Sequence, residues 1–288
     1  MTKENSKNFK NSKKDKETKD TDAKSTKKGL KKEFKFTTIV KTNNSEKTLC
    51  ETLEAIKDFC EIVVVDSHST DDTVEIAREY KTKIVYADKL EPFIGLNSVI
   101  EEASYDWILF LEGDEIAPYR LLEELEKYVL NPKKGKEALS VSKKTFYFNK
   151  ELKAARIKEE LRFFKKGAAI FEDNYSPKIK LLKGKTYKLN KNFKQKNVCV
   201  LKYLKSDLLE DFQDILQKNK QILKKEKITG VSIFIKPLFC FLKNWILKGA
   251  YLEGRLGYIF AQKEAIKKFI LEVMKLEKQR SKKENDFW

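Results

Sequence analysis

A short run of β-branched residues that ends in a carboxylate constrains the fold of this chain more than any other feature. Residues 62–65 are all β-branched, and Asp66 follows them directly. A similar pattern recurs further along, where the apolar residues 107–111 precede Glu112 and Asp114. Short apolar runs of this kind are typical of buried parallel strands. Because open α/β sheets bind ligands at the carboxyl ends of their strands, the pattern predicts acidic side chains at a binding edge.

The first half of the chain alternates strand and helix patterns. Apolar residues spaced as on one helix face follow the first predicted strand, and Ser69 and Asp72 have the spacing of a capping box before the next helix. Such alternation predicts an α/β fold, with a mostly parallel sheet and helices on both faces. The predicted strands are residues 36–40, 61–66, 83–86 and 107–111, and the predicted helices are residues 45–59, 71–80, 95–103 and 118–129.

The pattern changes in the second half of the chain. Short β-like runs between Lys- and Gly-containing turns predict a mixed or antiparallel β extension of the sheet, at residues 139–148, 161–164, 186–189 and 198–203. Helical, Lys-rich patterns follow at residues 206–225, 231–252 and 254–278. We therefore expect a Lys-rich, disordered tail at residues 1–33, an α/β domain at residues 34–205 and a C-terminal amphipathic helical region at residues 206–288.

The charge of the chain predicts an anionic partner. Its 288 residues carry a formal net charge of +17, an excess of Lys that a globular core does not need. Acidic lipid, a phosphorylated glycolipid or nucleic acid would each match this charge. No helix-turn-helix, zinc-finger or RNP pattern accompanies it, so we do not favour nucleic acid. His68 is the only histidine, which excludes a His-rich metal centre.

Several features bear on the location of the protein. The four cysteines lack CxxC spacing, which predicts reduced thiols and a cytoplasmic protein. The N-terminus has no apolar core of a signal peptide, and no run approaches the roughly 20 apolar residues that span a bilayer. Residues 234–252 mix aromatic side chains with Lys, which suits a helix in the membrane interface. This composition favours peripheral attachment to a membrane; the alternative is that this segment packs on the α/β domain.

The acids after the two apolar strands suit a metal and a nucleoside. Glu112 and Asp114 reach one crevice if the chain turns at Gly113, and a hard divalent cation takes such oxygen ligands together with phosphate oxygens. The cation would neutralise a diphosphate leaving group; the alternative is a solvated acidic turn. Asp66 is expected to accept hydrogen bonds from a ribose hydroxyl or a base N–H, or else to cap its own turn.

Two further groups of polar residues are candidate ligand contacts. Thr42 and Asn44 follow the first predicted strand and are expected to frame the nucleotide from the opposite side, although Asn44 is equally suited to cap the next helix. The basic side chains of Arg162, Lys165 and Lys166 suit the diphosphate or an anionic acceptor. The alternative is that these three form an ordinary basic surface turn.

The chain resembles inverting family 2 glycosyltransferases, and more narrowly the group that includes lipopolysaccharide core β-glucosyltransferases. The resemblance implies a GT-A, Rossmann-like fold, a nucleotide-sugar donor of the UDP-linked kind, and Mg²⁺ or Mn²⁺ at the D-x-D-like acids. Asp114 matches the metal ligand, Glu112 stands where the family usually has Asp, and Asp66 matches the acid on the nucleoside. The matching residues are 40–44 with Glu46, 63–71, Asn97, 106–115, 161–167 and 251–257.

The resemblance also implies a lipid-linked saccharide acceptor of the lipopolysaccharide or lipooligosaccharide core, and a catalytic base. An inverting transfer needs a base for the acceptor hydroxyl, and Glu115, Glu159, Glu160 and Asp173 are the candidates. The chain departs from the family after residue 171, where no histidine follows, and at residues 202–203, where Lys replaces the His of a His-Tyr pair. A catalytically degenerate GT-A protein and a basic, non-enzymatic anion-binding or nucleic-acid-binding protein are the alternatives.

Overall fold

The computed structural model of the protein describes residues 34–87, 93–147, 150–155, 158–172, 178–188, 199–203 and 231–285. The predicted tail at residues 1–33, the predicted helix at residues 206–225 and Asp173 lie outside the described residues.

Four parallel strands form the first half of the sheet, and they are joined by helices. The strands are β1 (Thr37–Thr42), β2 (Glu61–Asp66), β3 (Lys83–Tyr86) and β4 (Trp107–Glu112), and the helices between them are α1 (Glu46–Ile56), α2 (Thr73–Glu79) and α3 (Leu96–Glu102). Their order across the sheet is β3-β2-β1-β4, so β1 lies between β2 and β4. The predicted α/β fold with a mostly parallel sheet is confirmed.

Helices cover both faces of these strands. On one face, Leu53 of α1 packs in a core with Val64 of β2 and with the next helix, α4 (Tyr119–Leu130). On the other face, Val65 packs in a second core that includes Ile100 of α3. Because neighbouring residues of a strand point to opposite faces, a strand buried on both sides needs an unbroken apolar run. This is why residues 62–65 read as a continuous β-branched segment.

The second half of the sheet is mixed, as predicted. Beyond β4 lie β8 (Lys158–Lys165), β6 (Ala138–Tyr147), β12 (Cys199–Tyr203) and β5 (Glu115–Ile116), in that order. β8 runs antiparallel to both β4 and β6, β12 runs parallel to β6, and β5 runs antiparallel to β12. The shorter strands are β7 (Lys150–Glu151) and β11 (Thr186–Lys188), which pair with β6, and β9 (Ala169–Phe171) and β10 (Ile179–Leu181), which pair with each other.

The described C-terminal residues are helical. Helix α5 (Ser232–Leu242) continues into a π-helical turn (Lys243–Leu247) and a 3-10 turn (Ala250–Glu253), and then α6 (Gly254–Asn285) folds back along α5. The Lys236 ammonium group lies 2.7 Å from the carboxylate of Glu272, which joins the two helices. No helix among the described residues has the length and apolar character needed to cross a membrane.

Phe163 tests the packing between the two halves of the sheet. Its ring is fully buried in β8, stacks on Trp107 of β4 and meets the edge of Phe36. We expect Phe163→Ala to lower the free energy of unfolding by about 3–5 kcal/mol, because it leaves a cavity in this core. Leu130→Ala, at a position 69% exposed, is the control and should change it by less than about 0.5 kcal/mol. Equal losses in denaturant titrations would contradict this packing.

Candidate functional site

The polar residues predicted to bind ligand end three neighbouring strands at one edge of the sheet. Lys41 of β1 pairs with Val65 on one side and with Glu112 on the other, and Thr42 pairs with Asp66. Neighbouring strands lie about 4.8 Å apart, so the ends of β2 and β4 are separated by roughly 10 Å. A single nucleotide spans such a distance, which meets the sequence-based expectation of a shared binding edge.

The carboxylate of Asp66 is buried and organises the loop that follows it. It accepts hydrogen bonds from the Thr42 hydroxyl at 3.0 Å, from the backbone N–H of Ser69 at 2.8 Å and from the Ser69 hydroxyl. A carboxylate offers about four acceptor positions, so these donors leave one for a ligand. Beside it, the hydroxyl of Ser67 is buried and has no hydrogen-bond partner among the described residues.

The predicted capping box before α2 is wrong. Ser69 uses its hydroxyl on Asp66, and Asp72, at the helix N-cap, makes no side-chain capping bond. The carboxylate of Asp71 instead accepts from the backbone N–H and the hydroxyl of Thr73. The Ser69 hydroxyl, which the local pattern assigned as an acceptor for the helix, instead accepts from the Asn44 N–H and donates to Asp66.

Asn44 joins two loops rather than capping α1. Its backbone N–H donates to the Ser69 hydroxyl at 2.9 Å, and its side-chain oxygen accepts from the backbone N–H of Thr70 at 2.9 Å. Ser45 occupies the N-cap position of α1. Asn44 has φ of +48°, a left-handed conformation that Asn tolerates better than most residues. The loops after β1 and β2 are thus fixed to each other beside Asp66.

Gly113 fixes the acidic turn after β4 against α1. Its N–H donates to the carbonyl of Lys41 at 2.9 Å, and its carbonyl accepts from the hydroxyls of Thr48 and Thr52 at 2.8 and 3.2 Å. A Cβ atom at this position would lie 2.8 Å from the Ser45 hydroxyl oxygen and 3.0 Å from the Ser45 Cβ, so any other residue would require a shift. The turn is therefore held rigidly on the first turns of α1.

Glu112 and Asp114 flank this turn, and both are half-buried. Among the described residues, no group of three or more His, Cys, Asp or Glu side chains is placed to hold a metal ion by itself. Mg²⁺ is commonly held by one or two carboxylates, with water and substrate phosphate completing its shell. The pair therefore fits a divalent cation shared with a phosphate-bearing ligand, and does not fit a cation held by protein alone.

Glu115 lies inside the protein, where it anchors the same turn. One of its carboxylate oxygens accepts from the backbone N–H of Glu112 at 3.0 Å. The other lies 2.9 Å from Nη2 of Arg162 and 3.3 Å from Nζ of Lys143. The side chain of Glu115 is fully buried. Its assignment as the catalytic base stays a prediction, but these contacts favour an anchoring role.

Arg162 occupies neither of the positions expected from the sequence. It is 1% exposed, so it forms no surface turn, and its guanidinium group lies 5.2 Å from the centre of the Phe110 ring. Burial acts to lower the pKa of Arg162, but the carboxylates of Glu115, Glu112 and Glu160 outweigh burial and raise it above its ordinary value. Arg162 is therefore a permanently charged, buried partner for the acids at this edge.

The prediction that Lys165 and Lys166 contact a diphosphate at the acidic edge is wrong. Lys165 pairs across from Trp107, at the beginning of β4, and Lys166 donates to the carbonyls of Glu101 and Ala103. Because β8 runs antiparallel to β4, its last residues lie at the end of the sheet opposite the acids. The sequence placed these cations near Arg162 but did not reveal the strand direction.

The other base candidates differ in their surroundings. Burial acts to raise the pKa of Glu160, but Arg162 and Lys143 outweigh it and lower the pKa. A carboxylate with a lowered pKa is a weaker base. Glu159 is exposed. Asp173 lies outside the described residues, directly after Glu172.

Two exposed rings border the site and were not selected from the sequence. His68 lies in the loop after β2, and Tyr86 is the last residue of β3. Their rings stack with centroids 6.0 Å apart and planes inclined by 28°. His68 has a left-handed backbone conformation, with φ of +55°. Both residues stand at strand ends, and that position was the only signal in the sequence that could have identified them.

Comparisons with known proteins relate this chain to glycosyltransferases. Residues 37–176 match the family model of glycosyl transferase family 2. The chain is 23% identical over 247 residues to an uncharacterized glycosyltransferase of Rickettsia prowazekii, covering 78% of this chain and 81% of that protein. It is 32% identical over 107 residues to the poly(ribitol-phosphate) beta-N-acetylglucosaminyltransferase TarS of Staphylococcus aureus, covering 33% of this chain and 19% of TarS. The fold resembles the crystal structure of S. aureus TarS in complex with UDP-GlcNAc, with a TM-score of 0.46 and 16% identity, over 86% of this chain and 92% of that one.

Gly113 provides a test of how the acidic turn is held. We expect Gly113→Ala to lower the free energy of unfolding by about 1–3 kcal/mol, because the new methyl group overlaps Ser45 and the turn must shift. Ser45→Gly in the same chain removes the two closest atoms and should restore part of the loss. Chemical denaturation measures both effects. A Gly113→Ala protein as stable as the parent would contradict the close approach.

Proposed function

We propose that this chain, whose residues 37–176 match the family model of glycosyl transferase family 2, is an inverting glycosyltransferase. It transfers a hexose from a UDP-linked donor to a lipid-linked saccharide of the lipopolysaccharide or lipooligosaccharide core. The observation that carries the donor assignment is the placement of Asp66 and Glu112 at the carboxyl ends of the two strands that flank β1, with Asp114 in the turn after the second. The acceptor assignment rests on the sequence resemblance.

The nucleoside binds at the ends of β1 and β2. Asp66 accepts from the uracil N–H or a ribose hydroxyl with its remaining acceptor position, while Thr42 and Asn44 hold the surrounding loops. The buried hydroxyl of Ser67 offers a further donor or acceptor beside it. The sequence relative TarS has been crystallised with UDP-GlcNAc, which supports uridine as the nucleoside.

The diphosphate lies at the turn after β4. Asp114 and Glu112 would hold Mg²⁺ or Mn²⁺ there, and a bound cation would supply positive charge to the leaving diphosphate. Glu112 is one methylene longer than the Asp usual in the family, so its carboxylate reaches further from the strand. The rigid attachment of Gly113 to α1 keeps both carboxylates in place, which preserves the geometry of the site before the donor binds.

The acceptor hydroxyl needs a base on the face opposite the leaving group. Arg162 and Lys143 engage the carboxylates of Glu115 and Glu160 in ion pairs, which leaves Glu159 and Asp173, and of these two we propose Asp173. The missing family histidines after residue 171 leave a degenerate glycosyltransferase as the second candidate function. That protein would bind the nucleotide sugar and would not transfer the sugar.

Asp114 provides the test of the donor site. We expect Asp114→Asn to abolish sugar transfer and to weaken the binding of UDP in the presence of Mn²⁺ by about tenfold or more. A chelator added to the parent protein should have the same two effects. Asp106→Asn, an exposed acid before the same strand, is the matched control and should leave both unchanged. Calorimetry and a transfer assay measure these effects. Equal UDP affinity with and without chelator would contradict the metal assignment, and binding without transfer would favour the degenerate alternative.

We also propose that the C-terminal helices place the enzyme peripherally on the cytoplasmic face of an anionic inner membrane. No acidic residue occurs between residues 231 and 252, and Lys243 and Lys248 lie among the apolar ones, whereas Lys236 pairs with Glu272. Each such Lys contributes about 1 kcal/mol near an anionic surface. The exposed apolar side chains of this segment, which we call the apolar face, are Val231, Phe234, Ile235, Leu238, Phe239, Leu242, Ile246, Leu247, Tyr251 and Leu252.

Vesicle sedimentation tests this location. The parent protein should bind vesicles that contain phosphatidylglycerol, and the double substitution Phe234→Ser with Phe239→Ser should weaken binding by about tenfold, because two aromatic anchors are lost. Leu130→Ser, an exposed position on α4, is the control. Binding that is equal for the parent and the double variant would contradict the role of the apolar face.

A further inference from the structure

Four buried or half-buried charges form a closed cluster beneath the acidic turn. Nη2 of Arg162 lies 2.9 Å from Glu115 and 2.6 Å from Glu160. Nζ of Lys143 lies 3.3 Å from Glu115 and 2.7 Å from Glu160. Each cation therefore contacts both acids, and the two positive charges balance the two negative ones. Glu115 and Arg162 are the members that water does not reach.

The side chain of Glu115 also contacts the backbone of the metal-binding turn. The Glu115 oxygen that does not face Arg162 accepts the backbone N–H of Glu112 at 3.0 Å. On its other side, the turn is fixed by the hydrogen bonds of Gly113 to α1. The position of Glu112 and Asp114 is thus determined from two sides, by α1 and by Glu115.

Arg162 is the group that keeps Glu115 in this position. A carboxylate buried without a cation is strongly disfavoured, so its side chain would move towards water. This movement would loosen the acceptor for the Glu112 N–H. Lys143 alone is a weaker replacement, because its contact with Glu115 is longer and its ammonium group lacks the planar fork of a guanidinium group.

We propose that Arg162 is a positioning residue for the divalent cation and diphosphate: acting through Glu115, it holds the carboxylates of Glu112 and Asp114 in the geometry that binds them. The inference deepens the proposed function and rests on it. Arg162 itself is buried and touches no substrate. Groups that orient metal ligands from behind change metal affinity by about 10–100-fold when they are removed.

Metal and nucleotide affinities measured separately test the proposal. For Arg162→Lys and Arg162→Met, we expect the dissociation constant of Mn²⁺ in the presence of UDP to rise about tenfold or more. The affinity for uridine without metal should stay unchanged, because the nucleoside contacts lie on β1 and β2. A merely structural role would change both affinities or neither. Lys165→Met, on the same strand but paired with the exposed Asp106, is the control and should change neither.

A rescue variant separates charge from folding. In Arg162→Met with Glu115→Gln, the amide oxygen still accepts the Glu112 N–H, and no unmatched charge is buried because Lys143 and Glu160 pair with each other. This double variant should regain part of the Mn²⁺ affinity that Arg162→Met loses, and it decides the matter if Arg162→Met does not fold. The proposal would be overturned if the double variant bound Mn²⁺ no more tightly than Arg162→Met. It would also be overturned if the double variant bound Mn²⁺ and UDP as weakly as an unfolded chain.

The parent protein distinguishes the two possible failures. If it binds UDP in a metal-dependent way and both Arg162 variants match it, the proposed function stands and the role of Arg162 is wrong. If the parent shows no metal-dependent binding of UDP, the proposed function and the role of Arg162 both fall.

Discussion

The site depends on the position of β1 between β2 and β4. Parallel pairing on both sides of β1 brings the carboxyl ends of β2 and β4 to one edge, so Asp66 and the pair Glu112 and Asp114 stand on either side of Thr42. This order is possible because the strands are apolar on both faces and are covered by helices on both sides. The core therefore determines which polar residues meet, although none of them contributes to the core.

Burying acids at this edge is unfavourable unless each has partners. The chain meets this requirement in two ways. Asp66 is satisfied by neutral donors from its own loop and from β1, which leaves its charge available to a ligand. Glu115 is satisfied by the cations Arg162 and Lys143, which come from β8 and β6 in the second half of the sheet. The mixed extension thus contributes charge to a site that the parallel half contains.

The sequence predicted the parallel half of the fold and the acids at its edge, because both follow from local patterns: apolar runs and the residues that end them. It did not predict contacts that depend on the direction or register of distant strands. The positions of Lys165 and Lys166 were wrong because β8 runs antiparallel to β4. Arg162 was expected at the surface or at a ligand because the sequence does not show which acids approach it. In the structure, Glu115 and Glu160 pair with its guanidinium group. Ser69 was assigned to a helix cap from its spacing alone. In the structure its hydroxyl donates to Asp66, and the sequence pattern does not show this contact.

The central claim is that Asp66 and Asp114 bind one ligand, with the nucleoside at the first and the metal-bound diphosphate at the second. A crystal structure of the protein with UDP and Mn²⁺ tests it most directly. The account predicts a cation at roughly 2.0–2.3 Å from an Asp114 oxygen, bridged to the diphosphate, and a uridine hydrogen-bonded to Asp66. A nucleotide bound elsewhere, or a cation that contacts neither Asp114 nor Glu112, would contradict it.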